Sequence, residues 1–269
     1  MCRAMDDLAF YAAPGPMTEL PRNVDLPSDM AGIAPAVRGL MLHRAKAVRL
    51  GIDLTDERRG EERLRSASAM IAGILDLDPA PLRQARPPER QLIINCRHVA
   101  VLACALLRRV GRPARARVGF ATYLDPGRYV DHWIVERWHD GRWLRSDADP
   151  PPQADFDPLN LPPGRFLSAA EAWRRCRSGD ADPELFGVES WWGAWMIRNN
   201  VVRDLAALNR VELLPWDGWG LMDRSSRLGE GPADVLVDDV AARIEGGELT
   251  GLRRLYESDD RLRAPASLV

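Results

Sequence analysis

Lysine is almost missing from this chain: Lys46 stands alone in a set of 37 basic residues that is otherwise arginine. Against 39 acids the net charge is only −2, so there is no basic excess to hold nucleic acid or an anionic membrane surface. The arginine preference reads instead as codon bias in a GC-rich bacterial genome. Cysteine is scarce too. Cys2, Cys96, Cys104 and Cys176 form no CxxC pair and have no metal-ligand spacing with His43, His98, His132 or His139, which excludes a zinc-finger pattern and a disulfide framework. Free thiols in a reducing compartment are expected. No apolar run is long enough to span a membrane, and the stretch through Met17 lacks the basic-then-apolar order of a secretion signal. No acidic loop has calcium-ligand spacing, and no repeat or low-complexity tract is present. The expected setting is cytoplasmic, without metal, cofactor, nucleic acid or membrane; nothing in the sequence bears on oligomeric state.

What is present is a chain of 269 residues, 46% hydrophobic, organised around residues 95 to 150. Asn95-Cys96-Arg97-His98 precedes an apolar run of strong helix formers, Val99 to Leu107, that ends at Gly111 and Pro113, a helix with both ends marked. Asn95 is a good N-cap and leaves Cys96 in the first turn, where unpaired N–H groups and the helix dipole favour a thiolate. His98, two positions on, points about 200° around the helix from Cys96 and reads as a capping or packing residue. Cys104 and Cys176 lack a neighbouring base and read as structural.

Ala114 to Phe120 and His132 to Trp138 alternate as two strands, and His139-Asp140-Gly141-Arg142 is a hairpin signal leading into a third strand, Trp143 to Asp149, stopped by Pro150. With Asp140-Gly141 as a two-residue turn, His139 opposes Arg142 and His132 opposes Asp149, with Asp147 one diagonal step away on the same face. Either acid can then reach the imidazole, as a Cys-His-Asp arrangement requires.

These segments together resemble the transglutaminase-like superfamily. The residues that carry the likeness are Asn95-Cys96-Arg97-His98, the run Ala105 to Arg115 (ALLRRVGRPAR), Asp131 to Glu136 (DHWIVE) and Gly141 to Asp147 (GRWLRSD). The resemblance implies an α+β, papain-like core in which a central helix packs on a small antiparallel sheet. It also implies Cys96 as nucleophile, His132 as general base and Asp147 as the acid that orients the base. Two departures stand out. Ala148-Asp149 occupies the place where many members have Pro-Thr, which keeps Asp149 as a rival or supporting acid. No tryptophan precedes Trp133, so the indole that assists the oxyanion in the animal enzymes has no counterpart upstream of Cys96, and the Cys96 N–H needs another second donor.

The flanks read as helical regions around this core: a segment 1–90, the core 91–152, and a Trp-rich region 153–269 that closes the cleft, all as one compact unit. Residues 1 to 27, rich in Pro and Gly, are expected to wrap the surface. A helix is expected over Pro35 to Leu50 with Val37, Leu40, Met41 and Val48 inward, and a second, capped by Thr55-Asp56, with Leu64, Ala67, Met70, Ile71 and Ile74 as its apolar stripe. Ser168 to Glu171 is a capping box. Ser190 to Glu212 reads as a helix, on which Arg198, Asn199, Asn200, Arg203 and Asp204 either line the cleft or reach the surface. It leads into a loop with two exposed indoles, Trp216 and Trp219. Gly231-Pro232 opens a last helix with Leu236, Val240 and Ile244 inward, and a loose tail follows Ser258. Trp133, Trp191, Trp192, Trp216 and Trp219 are candidate pocket-lining residues, although large aromatics are more often core. The expected chemistry is attack on an amide, ester or thioester carbonyl through an acyl-enzyme, released by water or by an amine. The substrate would be a small molecule, a peptide or an acyl thioester. The alternatives are an amide-forming acyltransferase using a carrier-bound or activated donor and, farther off, a non-catalytic binding module.

Overall fold

The structure, a computed structural model, describes residues 2–223 and 232–269. The chain divides into two compact units, Met1–Ala116 with Ile134–Asn160 and Arg117–Trp133 with Leu161–Val269. Among the described residues no helix is long and apolar enough to cross a membrane.

The first unit contains α1 (Cys2–Ala12), α2 (Met30–Leu40), β1 (Met41–His43), α3 (Arg44–Arg49), α4 (Asp56–Gly60), α5 (Ala67–Leu77), β2 (Leu92–Ile94) and α6 (Cys96–Arg109). Residues 1 to 27 do not simply wrap the surface: they begin with α1, and Tyr11, Met17 and Val24 are buried. The single helix expected over Pro35 to Leu50 is three elements. Met41, Leu42 and His43 pair in parallel with Leu92, Ile93 and Ile94, so the backbone groups that a continuous helix would satisfy internally are satisfied across a ladder instead. Val48, expected inward, is exposed as a result. Thr55 caps only the short α4, its Oγ1 accepting from Arg58 N at 3.3 Å. Ser66 caps a separate α5, whose Ala67, Met70, Ile71 and Ile74 are buried as the stripe requires.

Asn95 is extended (φ −117°, ψ 177°) and caps α6, its Oδ1 accepting from Arg97 N at 3.1 Å. Gly111, at φ 71°, turns the chain away beyond the other end, a conformation that costs glycine nothing. Every side chain from Arg97 to Arg108 is buried, against α1, α2, α5 and β2. The chain continues into β3 (Ala114–Ala121), β4 (Tyr129–His139) and β5 (Arg142–Ser146). Asp140 (φ 48°) and Gly141 (φ 78°) make the two-residue turn with both residues left-handed. The register is the expected one, from His139 opposite Arg142 to Val135 opposite Ser146. The ladder then stops short of Asp149, because Asp147 N donates to Pro158 O at 2.7 Å and leaves the strand direction.

The second unit adds β6 (Phe166–Ser168), α7 (Ala169–Ser178), β7 (Phe186–Val188), β8 (Trp191–Trp192), α8 (Ala194–Leu208), α9 (Pro232–Gly246) and α10 (Leu249–Ser258). Its strands lie in the order β6-β3-β4-β7-β8. The sheet is mixed rather than wholly antiparallel, since β4 and β7 run parallel. Gly119 is required where β3 meets β6, because a Cβ there would sit 2.1 Å from Leu167 O. The capping box at Ser168 and Glu171 forms as expected, and α7, α8 and α9 pack together.

Four expectations are corrected in this unit. The helix expected from Ser190 starts at Ala194, because Gly193 (φ 111°) breaks the chain and leaves Trp191 and Trp192 in β8. Trp219 is buried rather than exposed, its Nε1 donating to Leu262 O at 2.9 Å. That contact, with Leu262 fully buried, also means the segment after Ser258 is packed and not a loose tail. On α9, Val240 is buried with Val237 and Ala241, while Leu236 and Ile244 are only half-buried; Gly231 lies outside the described residues.

Asp204 on α8 neither lines a cleft nor reaches the surface. It is fully buried and accepts from Arg117 Nε at 3.0 Å, Arg117 Nη2 at 2.7 Å and Val118 N at 2.8 Å. Asp204→Ala removes the carboxylate bonded to a buried guanidinium and is expected to cost about 3–5 kcal/mol in urea unfolding; a loss below about 1 kcal/mol, the scale of a surface pair, would contradict that account.

Candidate functional site

Cys96 is the first residue of α6 and is partly exposed, whereas Cys104 and Cys176 are buried; the side chain of Cys2 lies outside the described ones. Burial pushes the Cys176 thiol up to about 12, with Asp182 adding to it, so that thiol is inert at neutral pH. His98 closes the capping box with Asn95 at the same helix end. Burial holds its imidazole well below the ordinary histidine value and the Arg97 charge lowers it further. It is a neutral cap, as its angular position around the helix implied.

His132 lies on β4 and is buried, with the Tyr123 ring edge-on at 6.1 Å and 85°. Its neighbour Asp131 accepts from Asn200 Nδ2 at 2.7 Å, and Asn200 Oδ1 accepts from Arg203 Nη1 at 2.9 Å. Burial raises the Asp131 carboxyl above its usual range, while the Arg203 charge, the Asn200 bond and His132 oppose the shift. Asn200 and Arg203 on α8 therefore brace the residue beside His132, a connection that no local sequence signal carries.

Asp147 is buried and directly follows Ser146, the last residue paired with β4. Its Oδ1 accepts from Asp149 N at 2.9 Å. The rival acid is engaged elsewhere: Asp149 Oδ1 is 2.7 Å from the ammonium of Lys46, the one lysine of the chain, which stands on α3. That partner is 103 residues away in sequence, beyond any local signal in the hairpin.

The five candidate indoles separate. Trp133 is buried, and its Nε1 meets no acceptor among the described residues. Trp219 is core. Trp192 is half-buried, with the Arg128 guanidinium 4.4 Å from its ring centroid and its Nε1 donating to Glu189 O. Trp191 and Trp216 line a small cavity of about 80 Å³ in the second unit, together with Trp195, Asn199, Arg203 and Asp217. Arg203 Nη2 donates to Asp217 O at 3.2 Å, and Asp217 Oδ2 accepts from Leu214 N at 2.9 Å. A hydrogen-bonded chain thus runs from Asp131 through α8 to the loop that carries Trp216.

Residues 91–148 match the transglutaminase-like superfamily. This segment, which spans β2 and α6 and runs to just past β5, is similar to a transglutaminase-like core, and at that coarse level the match supports a cysteine enzyme. No curated protein matches the chain. A crystal structure of a protein from Cytophaga hutchinsonii, provisionally named a cysteine protease, aligns with 20% identity and a TM-score of 0.22 over 58% of this chain and 53% of its own. The chain thus spans about half the length of that protein.

Proposed function

We propose that this protein is a cysteine acyl-transfer enzyme in which Cys96, His132 and Asp147 act together. The observation that supports it most is the place of Cys96: a partly exposed thiol in the first turn of a capped helix, inside the segment that matches the superfamily. The imidazole of His132 takes the thiol proton as Sγ attacks the carbonyl carbon of an amide, ester or thioester. The C–S bond forms and the carbonyl electron pair moves onto oxygen, near the N–H groups of the helix start. Collapse of the tetrahedral species expels the leaving group with the proton from the imidazolium and leaves a thioester on Cys96. Water or an amine attacks that thioester with His132 again as base, so the acceptor decides between hydrolysis and amide formation. Asp147 orients the imidazole and stabilises its charged form. The site lies on a cytoplasmic protein that needs no metal or cofactor in this scheme.

The direct test is intact-mass spectrometry after mixing the enzyme with thioester or activated-amide donors, with and without amines. An acyl adduct on Cys96, discharged by water or amine, is expected. Saturable ligand binding by Cys96→Ala protein, with no adduct from any donor, would give the reading over to a binding module.

Trp216 is taken in this reading to influence the choice of acceptor, since an indole over a thioester would help exclude water. Trp216→Ala, at an indole that is 40% exposed, is expected to change the ratio of hydrolysis to aminolysis with little change in unfolding temperature. Trp219→Ala empties a core position and is expected to cost about 3–5 kcal/mol of stability instead. The pocket role is lost if the product ratio is unchanged in Trp216→Ala.

A further inference from the structure

A cavity of about 530 Å³ in the first unit lies at the other end of α6 from the nucleophile. Leu107, in its wall, is 11 positions beyond Cys96, about 16 Å along the helix at the usual rise. The volume falls in the range of small-molecule sites. Met30, Leu107, Trp138 and Leu159 make an apolar lining, and Arg112 and Arg137 bring two guanidiniums to the same cavity.

Neither arginine is neutralised by a bonded carboxylate. Arg137 Nε donates to Ser146 Oγ at 3.3 Å and Nη2 to Leu159 O at 3.2 Å, both neutral acceptors. Burial holds the Arg137 guanidinium below its ordinary value; the Asp157 charge opposes this and the Arg112 charge adds to it. The two cations are therefore close enough to repel each other, and Arg112 is exposed, its backbone N–H donating to Leu107 O at 3.0 Å while its guanidinium has no bonded carboxylate among the described residues. The acids of the lining have other partners. Asp29 Oδ1 accepts from Gly32 N at 2.9 Å as the cap of α2, and Asp140 lies 3.4 Å from His139 Nε2. Two like charges held together over an apolar floor leave a place for an anion between them, where planar guanidiniums bind oxyanions by paired hydrogen bonds.

We propose that this cavity is an accessory binding site for an amphipathic oxyanion, with its apolar body against Leu107, Trp138 and Leu159 and its carboxylate or phosphate between Arg112 and Arg137. The site is separate from Cys96, at the far end of α6. Binding is measured directly, so the outcome does not depend on the chemistry assigned to Cys96.

Isothermal titration of the full chain with decanoate, decyl phosphate, decanol and decyltrimethylammonium, all below micelle formation, tests it. Saturable binding of an anion is expected, at least about tenfold tighter than the alcohol or the cation, the scale of one charge-assisted bond. A preference for decanoate identifies a carboxylate ligand, and a preference for decyl phosphate a phosphate ester. Arg112→Gln, at an exposed position that should not disturb folding, is expected to weaken anion binding about tenfold or more, and Ala31→Trp, which fills the cleft, to abolish it. Absence of saturable anion binding, equal affinity for the cation, or wild-type affinity in both variants would overturn the proposal.

Discussion

Cys96→Ala and Cys96→Ser are expected to lose turnover and acyl-enzyme formation entirely while unfolding at the wild-type temperature. The separation of the two effects follows from where the residue stands. It opens α6 and is partly exposed, so neither substitution leaves a core cavity, and changes at such positions usually stay within about 0.5 kcal/mol. Asn95, which supplies the cap, is untouched. Iodoacetamide labelling mapped by mass spectrometry gives an independent reading, since alkylation needs only a thiolate and access. Cys96 should react first, with Cys104 shielded by burial and Cys176 held as a thiol whose value is pushed up to about 12. Faster labelling of Cys104 or Cys176 than of Cys96 would remove the nucleophile assignment.

The second large effect separates the two acids. Asp147→Asn is expected to lower turnover by roughly 10⁴, the size of the same change in the serine protease triad, where the amide holds the wrong imidazole tautomer. Asp149→Asn should cost far less catalytically, because Asp149 is bonded to Lys46. That ion pair is partly exposed, and its loss is expected to change stability by about 1 kcal/mol or less. The comparison needs no knowledge of the natural substrate: any donor that acylates the wild-type enzyme gives the ranking. If Asp149→Asn proves the more damaging, the orienting role passes to Asp149 and its bond to Lys46 becomes part of the site.

Parity along the hairpin put Asp147 and Asp149 on one face and opposed His132 to Asp149, and the observed pairs from His139–Arg142 to Val135–Ser146 follow that register. The extrapolation failed three residues before its end. Asp147 N finds its acceptor at Pro158, in a segment whose course the strand pattern does not specify. The expected helix through Leu50 failed for the same kind of reason. Met41, Leu42 and His43 have unremarkable local preferences, and only the presence of Leu92 to Ile94 beside them makes a strand the better solution. Propensities of a few tenths of a kcal/mol per residue cannot resist a ladder that satisfies buried backbone groups on both strands.

The sequence by itself determined the parts whose physics is local. Asn95 before Cys96, Gly111 and Pro113 after α6, Asp140-Gly141 in the hairpin and Ser168 with Glu171 each act over four residues or fewer, through caps and turns. The structure places each of them as read. Only the tertiary structure decided which side chains meet across long separations. It tied Lys46 to Asp149, buried Trp219 beneath Leu262, left Trp216 open, set Asp204 against Arg117 and linked Asp131 through Asn200 to Arg203. Such contacts form between residues tens of positions apart, by close packing and the pairing of buried charges, and no periodicity of 2.0 or 3.6 residues records them.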